Sequence, residues 1–187
     1  MRLFVAVEIS DAARRVANEA SEALRRAIGT RLRASWVSPA NMHLTVRFIG
    51  HVADERAATV LETLAPPLGM EPFDIELAGP GAFPPSGAPR VIWIGVTRGL
   101  AGLSAMHDAF DRRLAPLGYA PDARPFSAHL TVARVKDAPK GSGALVREAL
   151  RGITPAPTRW RVEHATVFRS HLSPRGPRYE ALGRVVL

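Results

Sequence analysis

A four-residue string occurs twice in this chain, letter for letter: His43-Leu44-Thr45-Val46 and His129-Leu130-Thr131-Val132. The copies start 86 residues apart (129 − 43). The chain has six histidines, and chance would give such a repeat in roughly one chain of 200 at ordinary composition. The repeat restricts the fold because it asks for two strands of one design in one molecule. On a strand, side chains two apart share a face. Each copy therefore presents an imidazole and a hydroxyl together and turns its Leu and Val the other way. Brought to one pocket, the two copies supply two imidazoles and two hydroxyls, the equipment for moving two protons around a phosphate.

The surrounding pattern alternates strands and helices. Residues 2–9 read as a first strand rather than a signal peptide, having one basic residue and a short apolar stretch. Ser10 and Asp11 offer N-caps, and Ala12, Val16, Ala20, Leu24 and Ile28 recur at helical spacing until Gly29. Residues 33–37 form a weak strand and Ser38 to Asn41 a turn. The first motif strand covers 43–49 and ends at Gly50. Asp54 caps a second helix that stops before Pro66-Pro67. A half-buried strand covers Phe73 to Leu77. Gly79 to Pro89, rich in Gly and Pro, reads as loop with Phe83 in its middle. Residues 90–96 are a buried strand, and a third helix covers 100–117. A loop at 119–126 leads to the second motif strand, 128–134. After a turn from Lys136 to Gly143 a short helix runs to Arg151. One long strand covers 158–168, and a loop from His171 to Arg178 precedes a last strand, Tyr179 to Val186. The fold expected is α+β: two pseudo-symmetric lobes of antiparallel-rich sheet with outer helices, the motif strands meeting in a central cleft. The length, 187 residues, suits a single bilobal domain over 1–187.

Composition narrows the chemistry. Cysteine is absent, which excludes disulfides, thiol nucleophiles and Cys-ligated metal sites and fits a cytoplasmic protein. No apolar run approaches the roughly 20 residues of a membrane helix. The net charge is +8, and Lys136 and Lys140 are the only lysines. Arginine favours bidentate phosphate recognition, so the charge permits a polyanionic partner without naming one. No His/Asp/Glu cluster shows metal-ligand spacing, and a zinc site built on the two motif histidines leaves both threonines without a role.

Alternation groups His43, Thr45 and Arg47 on one face of the first motif strand and Leu44, Val46 and Phe48 on the other, apolar face. On the second strand His129, Thr131 and Ala133 oppose Leu130 and Val132. Histidine titrates near pH 6.5 and serves as acid or base near neutrality. Threonine hydroxyls can donate to non-bridging oxygens, and arginine adds a cation there. His51, His107 and His164 read as structural or exposed. Phe48, Phe83, Phe126 and Tyr179 are the candidates for stacking on a nucleobase, although core packing is the expectation for Phe48.

With these motifs the chain resembles the 2H phosphoesterase superfamily. More narrowly it resembles the bacterial and archaeal RNA 2′,3′-cyclic phosphodiesterases, also called 2′-5′ RNA ligase-like proteins. The likeness covers nearly the whole chain: Arg2 to Val7, Trp36 to Gly50, Pro89 to Val96, Pro125 to Arg134, and Phe168 to Tyr179. It implies the bilobal fold and a substrate of RNA, or a nucleotide, ending in a 2′,3′-cyclic phosphate, opened to a 2′-phosphate with no cofactor or metal. It further implies His43 as general acid and His129 as general base, with Thr45, Thr131 and Arg134 binding the phosphate. Which histidine is acid is not readable from the residues themselves. Strict alternation also puts Arg134 opposite His129, so its role needs a strand end, a bulge or a long reach; otherwise it is a surface arginine. The tail departs from the family pattern, which more often has an acidic residue at Arg169 and no histidine at His171. Two alternatives stand beside hydrolysis: 2′-5′ ligation of RNA ends by the reverse reaction, and a non-catalytic RNA-end-binding module. The chain is expected to act as a monomer away from membranes.

Overall fold

Among the described residues nine strands and four α-helices follow one another, and these strands join a single antiparallel sheet. The computed structural model describes residues 1–121, 125–174 and 176–187. The strands are β1 (Arg2–Glu8), β2 (Arg33–Trp36), β3 (His43–His51), β4 (Phe73–Phe83), β5 (Val91–Arg98), β6 (His129–Asp137), β7 (Thr158–Val162), β8 (His164–His171) and β9 (Arg178–Val186). The helices are α1 (Asp11–Ile28), α2 (Asp54–Leu64), α3 (Leu100–Leu114) and α4 (Ser142–Arg151). The sheet order is β7-β4-β5-β6-β3-β1-β8-β9, with β2 paired to β6. Read outward from the middle, β6-β5-β4-β7 mirrors β3-β1-β8-β9. The two motif strands are the central pair, joined antiparallel at Leu44 and Leu130. The repeat thus lies about the local twofold of the sheet.

Helices tie the lobes together by crossing between them. Helix α1 leaves β1 yet packs on β6 and β7 and against α4, whereas α3 leaves β5 yet packs on β3 and α2. Ser10 caps α1 by accepting from the Ala13 N–H, and Gly29 closes it at φ 58°. The buried stripe is Ala13, Ala17, Ala20, Leu24 and Ile28, one position beyond the expected Ala12 and Val16. Helix α3 buries Leu103, Met106, His107, Phe110 and Leu114 and passes into a 3₁₀ turn over Ala115–Leu117. The N-cap of α2 is Ala53, not Asp54, which lies in the first turn and holds the N-terminal ammonium at 3.1 Å.

Two expectations are corrected. The Gly-Pro stretch after residue 79 is not loop: β4 continues to Phe83. Its pairing with β5 shifts register between Leu77 and Pro80. Gly79 takes φ 71° there, and a bulge spares the missing proline N–H. The run 158–168 is not one strand. β7, at one edge of the sheet order, pairs with β4, and β8, next to the other edge, pairs with β1, with only Glu163 between them. One residue spans about 3.5 Å, so the sheet must curl until its two outer regions meet at Glu163. The motif strands run longer than expected, through His51 and Asp137. The loop expected at 119–126 lies partly outside the described residues, at 122–124. Among the described residues no helix is long and apolar enough to cross a membrane.

Candidate active site

Both motif strands carry an extra residue at the same place. Val5 opposes Arg47 while Ala6 opposes Thr45, which leaves Val46 without a partner on β1. Ile92 opposes Ala133 while Trp93 opposes Thr131, which leaves Val132 without one on β5. A β-bulge of this kind reverses the side-chain alternation beyond it. Val46 with Arg47, and Val132 with Ala133, therefore all point into the core. The next residues, Phe48 and Arg134, return to the His-Thr face.

This overturns two sequence readings. Arg47 is not beside His43 and Thr45: it is 3% exposed, ion-paired with Asp111, and donates to the carbonyls of Phe48 (2.9 Å) and Ala120 (2.5 Å). Phe48 is not core: it is 42% exposed, with the Arg2 guanidinium 5.0 Å above its ring. For Arg134 the bulge removes the conflict, and its side chain joins His43, Thr45, Thr131, Trp36 and Tyr179 in lining one pocket.

The register at Leu44 and Leu130 orders the centre. An antiparallel pair that matches 44 with 130 sets His43 across from Thr131, and Thr45 across from His129. Each histidine thus stands in register with the threonine of the other copy. The two histidines are anchored alike. His43 Nδ1–H donates to the Asn41 carbonyl at 2.8 Å, and His129 Nδ1–H to the Ser127 carbonyl at 2.7 Å. A carbonyl only accepts, so the proton of each neutral ring sits on Nδ1 and Nε2 keeps its lone pair. The Thr45 hydroxyl donates to that lone pair on His43, at 3.0 Å.

Aromatic rings wall both sides. His43 lies 4.9 Å from Phe4 and meets Tyr179 edge-on at 5.2 Å. His129 meets Phe83 edge-on at 5.1 Å and tilts against Trp93 at 6.3 Å. Burial among these rings penalises the charged imidazole. It pulls His43 down to about 4, helped by the positive charge of Arg134 and by His129. His129 is lowered for the same reason, burial first and Arg134 second. Burial pushes the Tyr179 hydroxyl up.

Of the four aromatic candidates, Tyr179 lines the pocket and Phe83 touches His129, while Phe48 is exposed at the far end of β3. Phe126 is stacked on His107 at 4.7 Å, and it is not part of the pocket wall. The residues that sequence reasoning missed are Trp36, Phe4, Trp93 and the two anchoring carbonyls. A carbonyl carries no side-chain signature, so nothing in the sequence marks Asn41 or Ser127 beyond their matching place, two residues before each histidine. His171, the histidine foreign to the family pattern, sits on β8 with Nε2 2.6 Å from a Glu180 oxygen. Among the described residues no cluster of three or more His, Asp or Glu side chains is arranged to hold a metal ion.

A family model described as the 2′-5′ RNA ligase superfamily matches residues 6–174. An RNA 2′,3′-cyclic phosphodiesterase of Archaeoglobus fulgidus is 35% identical over 182 residues, covering 97% of this chain and 98% of that one. One from Aeropyrum pernix is 38% identical over 150 residues, covering 80% and 84%. Among solved structures, TT0787 of Thermus thermophilus matches with a TM-score of 0.76 and 28% identity, over 100% of this chain and 98% of that one. The LigT protein of E. coli, crystallised with 3′-AMP, matches with a TM-score of 0.70 and 24% identity over 100% and 97%, and shares the fold.

Proposed function

The chain belongs to the 2′-5′ RNA ligase superfamily, and on that premise we propose that it hydrolyses the 2′,3′-cyclic phosphate ends of RNA or nucleotides to 2′-phosphates. The observation that carries this reading is the pair of alike-anchored imidazoles, each held through Nδ1 so that Nε2 keeps its lone pair, on paired strands whose His43, Thr45, Thr131 and Arg134 line one pocket, with the charge of Arg134 also reaching His129. Relatives across most of the chain's length bear the name of that activity.

In the proposed reaction His129 Nε2 takes a proton from water as the water oxygen attacks phosphorus. The P–O3′ bond breaks, and O3′ takes a proton from His43 Nε2–H. The products are a 2′-phosphate and a free 3′-hydroxyl, and the two protons balance. Thr45, Thr131 and Arg134 hold the non-bridging oxygens as charge gathers on them. The division of roles follows the family resemblance. Burial holds His43 down to about 4, so it is protonated, and can act as the acid, only once bound substrate has raised it. An anionic phosphate in the cleft raises both imidazoles and supplies that protonation. No step calls for a metal ion. The same residues run the ligation direction by microscopic reversibility, but water at bulk concentration favours hydrolysis over dilute RNA ends.

Each chain carries both half-sites, so a monomer acting in the cytoplasm suffices, as one bilobal unit over 1–187. The test is turnover of a 2′,3′-cyclic nucleotide in EDTA, with the product identified by ³¹P NMR. A 2′-phosphate is expected. Binding without turnover would favour the RNA-end-binding module, and loss of turnover in EDTA would remove the metal-free mechanism.

A further inference from the structure

Behind the cleft, on the core side of the central strands, lies a buried histidine that the reaction does not use. His107, on α3, is 7% exposed. Its Nδ1–H donates to the Val46 carbonyl at 2.8 Å. Val46 is the bulged residue that follows Thr45, so this bond is made to the residue that sets the direction of both Thr45 and Phe48. In the other lobe the bulged residue is Val132, and its carbonyl is satisfied by the backbone N–H of Val37 at 2.9 Å. A strand end serves one half-site, and a side chain from α3 serves the other.

The same ring has a second contact. It stacks on Phe126, with centroids 4.7 Å apart and planes 17° from parallel. Phe126 precedes Ser127, whose carbonyl anchors His129 Nδ1. One imidazole therefore touches the bulge of the first motif and the residue beside the anchor of the second. Its Nε2 lies 3.3 Å from an Asp111 oxygen, and the Asp111 carboxylate also pairs with Arg47, the residue after the bulge. The crossing of α3 beneath the opposite lobe places it there.

We propose that His107 is a positioning residue that couples the two half-sites, setting His43 and Thr45 through the Val46 carbonyl and His129 through the Phe126 stack. This rests on the two-histidine reading above. It goes beyond that reading by assigning the relative placement of the histidines to a residue outside the cleft.

Two substitutions separate the contacts. His107→Asn keeps a donor toward the Val46 carbonyl and removes the ring; His107→Phe keeps a ring on Phe126 and removes the donor. The readouts are the ¹⁵N signals of the imidazoles and the kinetics on a 2′,3′-cyclic nucleotide, both taken well below each variant's melting temperature. In His107→Asn the His129 signals move and those of His43 stay. In His107→Phe the reverse holds. In His107→Phe, kcat falls roughly tenfold to a hundredfold, the scale of a sub-ångström to ångström misplacement, while KM stays within about twofold. Two folded variants with unmoved His43 and His129 signals would overturn the proposal. A wild-type arm needs no substitution. On titration with a nucleoside 2′-phosphate, the His107 signals must move with the same apparent Kd as those of His43 and His129; still signals at His107 overturn the coupling. If the wild type neither turns over nor binds, the functional reading fails, while the variant spectra still decide the positioning.

Discussion

Gly81→Ala tests whether the aromatic wall beside His129 is as tightly set as the structure shows. A Cβ at Gly81 would lie 2.3 Å from Trp93 Cη2, 2.4 Å from Cζ2 and 2.7 Å from Cζ3. Carbon atoms in contact sit at about 3.5–4.0 Å, so the indole must retreat by more than about 1 Å. The backbones cannot part, because Gly81 and Trp93 are partners in the β4–β5 ladder. The ring must therefore turn toward Phe83, 5.0 Å away, and His129, 6.3 Å away. Overpacking of this kind costs about 1–3 kcal/mol. At about 2–4 °C per kcal/mol for a chain of this size, Tm falls by about 2–12 °C. The larger effect is on turnover, since a displacement near 1 Å in a catalytic set costs up to about a hundredfold. Calorimetry and kcat/KM on a 2′,3′-cyclic nucleotide measure both. Gly183→Ala is the control, because its Cβ meets nothing within 4 Å. If Gly81→Ala matches Gly183→Ala in both Tm and kcat/KM, the packing argument for the His129 wall is wrong.

Other outcomes follow from the same geometry. The pH profile of kcat/KM is a bell, because one histidine must be neutral and the other protonated. With His43 lowered to about 4 and His129 also lowered, its maximum lies on the acid side of pH 6.5. The profile of kcat lies at higher pH, since the bound anion raises both groups; a rate that climbs steadily through neutrality contradicts this. Arg134→Met leaves the burial that chiefly lowers both histidines and removes the charge that adds to it. The kcat/KM bell then moves to higher pH and its height drops by about 10²–10³, the scale of one lost oxyanion donor. Leu130→Ala, at the fully buried junction of the motif strands, lowers unfolding stability by about 2–5 kcal/mol in urea titration.

The repeated string makes the two strands, their His-Thr face and the pseudo-twofold legible, because period-two alternation survives in any register that buries Leu44 and Leu130. Alternation does not survive the bulge. Nothing in Val46-Arg47-Phe48 marks an extra residue, so strict alternation puts Arg47 and Phe48 each on the wrong face and leaves Arg134 in apparent conflict. The conflict at Arg134 is the visible trace of the bulge, and the matching register shift at Val132 resolves it. The continuation of β4 is hidden by its glycines and proline: Gly81 lies under the Trp93 ring, and Gly79 and Pro80 sit at the register shift, so none of them marks a turn. The split of 158–168 leaves only a weak trace: no Gly or Pro interrupts the run, and the apolar positions merely shift from Trp160 and Val162 to Ala165 and Val167 across Glu163. The reading of His107 as structural agrees with its burial, but its two contacts are long-range: the Val46 carbonyl is 61 residues away in sequence.

The central claim is that two half-sites act as one unit on one phosphate. The most direct test is kcat for His43→Ala, His129→Ala and the double variant on a 2′,3′-cyclic nucleotide, each shown folded by its melting curve. Groups that act together in one step are strongly non-additive. Each single variant is therefore expected to lose nearly as much as the double, roughly 10⁴-fold or more, since each removes proton transfer worth about 10²–10⁴ and disrupts the concerted partner. If the losses instead multiply, or if either single variant keeps near wild-type turnover, the two copies of His-Leu-Thr-Val do not act as a single acid–base pair.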